Sequence, residues 1–285
     1  MQRSHLLAGA IVAASMTAGA YVALSAETPT PVAKSAVAQV PDFSGNWRGG
    51  NFQPPVSGHP GVRQDPRFKQ RGTHLPNGQR QAPVPAVGDP TDPLLTPWAA
   101  AELKKISDRR AKGELILPAR SLCWPNGVPG VIGFGGAPRF VQTMDQVMIY
   151  YEEGPEMRRI YLNVPHSQNL RPSWYGESVG HYEVDTLVVD TIGLNDKTAV
   201  DDYLTPHTQA MHVVERYHLV DDGKTLEVQF TVDDPGAFNE PWSGLVRYRR
   251  AAPDAKFVEI RCAENNFDVT TGKEYPLPRA TNIDF

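Results

Sequence analysis

Alternating apolar and polar residues dominate the second half of the chain. In the stretch 225–232, Leu226, Val228 and Phe230 recur at every second position, which is the pattern of a strand with one buried face. Similar stretches, separated by short turn sequences, occur at 139–143, 147–153, 158–163, 186–193, 212–220, 244–251 and 256–263. The pattern predicts about eight antiparallel strands joined by hairpins.

Eight strands are enough to close a barrel that holds one small ligand. We therefore expect a mainly β fold, an antiparallel eight-stranded lipocalin-like barrel, with a β-sandwich as the alternative. One helix should precede the strands at 97–112, because Thr96 suits the N-cap and Pro97 the first helical position. The segment 49–93 is rich in Pro, Gly, Gln and Asn, which predicts a long wrapping loop.

The N-terminus has the layout of a secretory signal peptide. Arg3 and His5 precede an apolar, Ala-rich run from residue 6 to residue 24, which is followed by small residues. We expect a signal peptide at 1–26, a flexible lead at 27–40 and a single barrel domain at 41–285. The protein should therefore be periplasmic or secreted, and an uncleaved signal would be its only link to a membrane.

The charge of the chain bears on its binding partners, and its cysteines bear on disulfide formation. The formal net charge is -4 and no basic block occurs, so nucleic acid is not an expected partner. The only two cysteines are Cys123 and Cys262. In an exported chain an even number of cysteines predicts a disulfide between them.

Glu215 is the acidic residue that strand periodicity predicts to lie inside the barrel. It shares the more apolar face of the stretch 212–220 with Val213 and Tyr217. A buried carboxylate needs a partner or a raised pKa. Glu215 should therefore either pair with an arginine such as Arg247 or Arg249, or act as a general base.

Other candidate acid-base groups surround Glu215 in the sequence. Asp190 interrupts an apolar strand, His212 begins another, and His166 and His207 lie in predicted loops. Together they suggest proton transfer in which Asp190 or Glu215 orients a histidine, without a redox cofactor. His207, His212 and Glu215 also form an H-x4-H-x2-E pattern, so a divalent metal is an alternative, as are histidines with purely structural roles.

Aromatic residues supply candidate walls for a pocket. Trp174, Tyr182 and Trp242 could receive an apolar ligand at the barrel mouth or simply fill the core. The chain contains no H-E-x-x-H, P-loop or dinucleotide fingerprint. This disfavours zincins and nucleotide enzymes.

The same region carries a family resemblance. The segments GESVGHYEVDTLVVDT, HTQAMHVVER, DDPGAF and EPW, with CWPNGVP upstream, resemble a largely uncharacterised family of exported bacterial proteins across residues 123–242. The resemblance implies secretion and a shared β fold but no particular reaction. Tyr182 stands where the family pattern has Trp, and Thr208-Gln209 where it has Ser-Glu, so a mechanism that needs a carboxylate at residue 209 is disfavoured.

These observations give one leading functional hypothesis and two alternatives. The leading hypothesis is an exported β-barrel enzyme, a lyase, isomerase or hydrolase, that performs cofactor-independent acid-base chemistry on a small, partly apolar molecule. One alternative is a non-catalytic ligand-binding or envelope protein. The other is a metal-dependent hydrolase.

Overall fold

Nine strands form a closed barrel in the computed structural model, which describes residues 40–53, 55–68, 86–114, 116–134, 136–152 and 157–256. The strands are β1 (Gly45–Gln53), β2 (Pro138–Gln142), β3 (Gln146–Tyr151), β4 (Met157–Leu162), β5 (Glu177–Glu183), β6 (Thr186–Ile192), β7 (His212–Val220), β8 (Thr225–Asp233) and β9 (Trp242–Arg250). The helices are α1 (Pro97–Ala111) and α2 (Gly130–Phe134), with 3-10 turns at Pro66–Phe68 and Ala119–Leu122.

The strands follow one another around the barrel in chain order, and β1 closes it against β9. All neighbours are antiparallel except β4 and β5, which are parallel. Tight turns explain the hairpins: Val184 has positive φ between β5 and β6, as do Asp221, Asp222 and Gly223 between β7 and β8. The parallel pair instead needs the longer connection 163–176.

The expected closed, mainly β barrel is confirmed. The prediction of eight strands that are all antiparallel is wrong. Seven of the eight predicted strands are among the nine, and the other two are β1 and β5, which have weak sequence signals. β1 falls partly in the predicted loop 49–93 and contains three glycines, whereas β5 (ESVGHYE) has few apolar residues. Gly180 is required in β5, since a Cβ there would lie 2.9 Å from Ile160 Cγ2 and 3.0 Å from the Val188 carbonyl oxygen.

Several predictions fall on parts of the chain outside the described residues. These are the signal peptide at 1–26, nearly all of the lead at 27–40, the strand at 256–263 beyond Lys256, and Cys262. The disulfide between Cys123 and Cys262 therefore stays a prediction. Within the described ranges, no helix is both long and apolar enough to cross a membrane.

Helix α1 agrees with its prediction to within one residue. The Thr96 side chain accepts a hydrogen bond from the Ala99 amide, and Pro97 occupies the first turn. Ala99 and Leu103 are buried and Ile106 packs against the core, so one face of the helix lies on the core. The amphipathic pattern and the cap both carry this prediction.

Glu215 does lie inside the barrel, where it forms an ion pair with Arg158. Two hydrogen bonds join the side chains, from Arg158 Nη1 to Glu215 Oε1 at 2.7 Å and from Nη2 to Oε2 at 2.6 Å. The side chains are 1% and 0% exposed, and the Tyr217 hydroxyl donates to Oε1 at 2.7 Å. The prediction that Arg247 or Arg249 pairs with Glu215 is wrong, because both arginines are exposed on β9.

Replacing Glu215 by Gln should strongly destabilise the fold, because it leaves the Arg158 guanidinium buried without its counter-ion. We expect a loss of about 3–5 kcal/mol in the free energy of unfolding, measured by urea denaturation. The matched control is Glu227→Gln, which breaks a pair with the half-exposed Arg247. That change should cost less than about 1 kcal/mol, and equal losses in the two variants would contradict the account.

Candidate ligand-binding site

A cavity of about 380 Å³ lies at one end of the barrel, where β1 ends and β9 begins. The inward face of the barrel supplies Phe230 from β8 and Trp242 from β9 to its wall. Residues outside the sheet complete it. Its apolar and aromatic lining includes Phe52, Val62, Val200, Tyr203, Phe230 and Trp242.

Two glycines allow the aromatic side chains to take their places around the cavity. A Cβ on Gly244 would lie 2.3 Å from Phe230 Cζ, so the ring crosses β9 where that strand has no side chain. A Cβ on Gly61, where φ is +89°, would lie 3.0 Å from Trp242 Cε3. Trp242 also makes an edge contact with Phe230, with the ring centroids 5.8 Å apart.

Asp201 is the polar residue that distinguishes this cavity. Its Oδ1 accepts hydrogen bonds from the backbone amides of Tyr203 at 2.9 Å and Thr205 at 3.0 Å. Burial nevertheless raises the pKa of the Asp201 carboxyl to about 6, against the opposing effect of these hydrogen bonds. Within the described part of the chain, no cationic side chain pairs with it, whereas its neighbour Asp202 pairs with Arg120.

Three of the predicted acid-base residues meet on the outer face of the barrel. His166 Nε2 lies 2.9 Å from Asp190 Oδ1, and His212 Nε2 lies 3.0 Å from the same oxygen. Asp190 and His212 point outward because they alternate with buried residues of β6 and β7. This outer cluster of His166, Asp190 and His212 is separate from the barrel-end cavity.

His207 has a different environment, inside a loop. Its Nδ1 donates to the Thr208 carbonyl oxygen at 3.0 Å, and its Nε2 accepts from the Thr198 hydroxyl at 2.9 Å. Burial lowers its pKa, which favours the neutral ring. With both nitrogens engaged, His207 fastens the loop 198–208.

The three residues of the H-x4-H-x2-E pattern do not converge. His207 lies in the loop, His212 on the outer face and Glu215 in the barrel interior. Among the residues that the structure describes, no group of three His, Cys, Asp or Glu side chains is arranged to hold a metal ion.

The predicted aromatic residues also separate. Trp242 lines the cavity, whereas Trp174 packs against Trp124 with the ring centroids 5.4 Å apart. Tyr182 is half-buried further along β5, where its hydroxyl accepts a hydrogen bond from Gln142 Nε2 at 2.9 Å. Trp174 and Tyr182 are not cavity-lining residues in the described structure.

Comparison with known proteins adds little to this picture. The chain matches no protein family and no curated protein. In structure it is similar to a luciferase domain from the dinoflagellate Lingulodinium polyedrum, at 10% sequence identity and a TM-score of 0.26. The match covers 78% of this chain and 56% of that chain, and a TM-score this low supports no inference.

Sequence reasoning missed Asp201 as a site residue. It lies in the loop sequence AVDDYLTP, where no strand or helix period marks its direction. The available signal was local: two carboxylates stand directly between Val200 and Tyr203. An acid in such an apolar loop is a candidate for burial.

The raised pKa of Asp201 predicts a specific pH dependence of stability. The Asp201 carboxyl has a pKa of 3.8 in the unfolded chain and about 6 in the folded protein, so the bound proton stabilises the fold. This contribution to the free energy of unfolding is complete below pH 3.8 and is lost as the pH rises through about 6. The loss should approach about 3 kcal/mol at neutral pH. Asp201→Asn keeps the oxygen that accepts both amide hydrogen bonds, and it does not ionise.

The measurement is the free energy of unfolding of both proteins at pH 4 and pH 7. The free energy of unfolding of Asp201→Asn, relative to that of the wild type, should increase from pH 4 to pH 7. Comparing the two proteins cancels groups that titrate in both, such as His207. A constant difference would show that the folded protein does not hold the Asp201 proton.

Proposed function

We propose that the protein binds a small, partly apolar molecule in the barrel-end cavity. The observation that carries the proposal is an aromatic cavity of about 380 Å³ bordered by a carboxylate that pairs with no cationic side chain among the described residues. Small-molecule sites are concave, mostly apolar and furnished with a few polar groups that fix orientation. The cavity has these properties, and its volume falls within the usual range of about 300–1,000 Å³.

Ligand binding is better supported than the acid-base scheme suggested by the sequence. That scheme needs Asp190 or Glu215 to orient His207 or His212, and of these pairs only Asp190 and His212 are in contact, on the outer face and away from the cavity. Glu215 is instead held by Arg158, and His207 uses both ring nitrogens to fasten its loop. Export to the periplasm or beyond remains part of the proposal, on the sequence pattern of residues 1–26 alone.

An acid-base enzyme is the second candidate, with the outer cluster as its catalytic groups. The favouring observation is that two imidazoles share one carboxylate oxygen at 2.9 Å and 3.0 Å. His166 Nδ1 also lies 4.0 Å from Glu177 Oε2, and Glu177 borders a surface groove of about 740 Å³. A substrate in that groove would lie near His166, which a carboxylate-oriented histidine needs for proton transfer.

Benzyl alcohol should bind in the cavity and shift the Trp242 indole N–H signal in a ¹⁵N-¹H NMR titration. Trp242 borders the cavity, and its indole nitrogen has no hydrogen-bond partner in the described structure. The internal control is Trp47, whose indole N–H donates to the Phe43 carbonyl oxygen at 2.9 Å. Its signal should stay in place. Trp242→Phe identifies the signal by removing it from the set of five tryptophans.

A saturable shift confined to the Trp242 signal supports the cavity as a binding site. No shift at millimolar probe, or equal shifts of the Trp47 and Trp242 signals, would contradict the proposal.

The second candidate predicts a different dependence on mutation. If the outer cluster is catalytic, any turnover found in a screen of lyase, isomerase and hydrolase substrates should fall at least about a hundredfold in His212→Gln and Asp190→Asn. It should survive in Asp201→Asn, which leaves the cluster intact. Turnover lost in Asp201→Asn but kept in His212→Gln would instead place the chemistry in the cavity.

A further inference from the structure

In the described part of the chain, the charged side chains that line the barrel-end cavity are all acidic. Asp201 and Asp202 line it, and the described part of the lining contains no Lys, Arg or His side chain. Arg120 compensates Asp202 from outside the lining. Asp201 accepts hydrogen bonds from two backbone amides and pairs with no cation in the ranges that the structure describes.

The remaining walls suit a positive charge as well. Phe52, Tyr203, Phe230 and Trp242 place four aromatic side chains around the same space as the carboxylate. The faces of aromatic rings attract ammonium groups, and the attraction grows when the site is shielded from water. Among the described lining residues, an anionic ligand would meet only side chains of like charge.

We infer that the cavity selects an organic amine, with its ammonium group beside Asp201 and its aromatic or alkyl body against Phe230 and Trp242. The inference rests on the proposed function and adds the chemical class of the ligand. A partly buried carboxylate such as Asp201, with no counter-ion among the described residues, is unfavourable, and a bound ammonium supplies that counter-ion. A neutral molecule of the same shape gains the apolar contacts but not the charge pairing.

Three probes with one aromatic ring separate these contributions: benzylamine, benzyl alcohol and benzoate. Their dissociation constants are measured at pH 7.5 from the Trp242 indole signal and by calorimetry. Benzylamine should bind about tenfold more tightly than benzyl alcohol, which is the usual advantage of a charge-assisted hydrogen bond over a neutral one. Benzoate should bind more weakly than either.

Asp201→Asn tests the residue that sets this order. The variant should bind benzyl alcohol as the wild type does, which also shows that its cavity is folded, and should lose the preference for benzylamine. The matched control is Asp233→Asn, which removes an equal charge from an exposed position. Asp233 is the last residue of β8, next to Val232, which pairs with the cavity residue Trp242. The control should keep the preference.

The outcomes separate this inference from the proposed function. Equal affinity for benzylamine and benzyl alcohol overturns the amine class and leaves the cavity as a binding site. Absence of binding by all three probes overturns both. Loss of the preference in Asp233→Asn as well as Asp201→Asn overturns the assignment to Asp201, because net charge alone would then explain it.

Discussion

The buried ion pair between Arg158 and Glu215 is the interaction around which the barrel interior is organised. It joins β4 to β7, and Arg158 Nη2 also donates to Ser178 on β5 at 3.0 Å and to Thr191 on β6 at 3.3 Å. Four successive strands therefore share one guanidinium. These include the parallel pair β4 and β5, which no hairpin fixes, so the network holds the register where the topology does so least.

The ion pair also determines which acidic side chain can interact with a ligand. Glu215 and Phe230 are cross-strand neighbours on the inner face, and Phe230 in turn borders the barrel-end cavity. The interior thus contains the polar network of Arg158 and Glu215 on one side of Phe230 and the aromatic cavity on the other. The charge of Glu215 is compensated by Arg158, whereas no described cationic side chain compensates that of Asp201. For this reason Asp201, in a loop, is a better candidate for contact with a ligand than Glu215, on strand β7.

The sequence predicts what depends on local periodicity and misses what depends on distant partners. Strict alternation in β8 and the capped helix α1 give correct elements, and the same logic correctly places Glu215 inside. The sequence does not identify Arg158 as its partner, although Arg158 shares a face with Ile160, because 57 residues separate the two charges. Asp201 belongs to a cavity assembled from several loops and strands, and no local pattern describes such a site.

The most direct test of the account is a carboxyl ¹³C NMR titration of Asp201 without ligand and with saturating benzylamine. The structure predicts a pKa of about 6 for the free protein, because burial disfavours an ionised carboxyl that lacks a cation. Bound ammonium should lower that pKa, since it stabilises the ionised form. An ordinary pKa near 3.8 in the free protein, or no change with benzylamine, would contradict the claim that Asp201 lacks a cationic partner until an amine binds beside it.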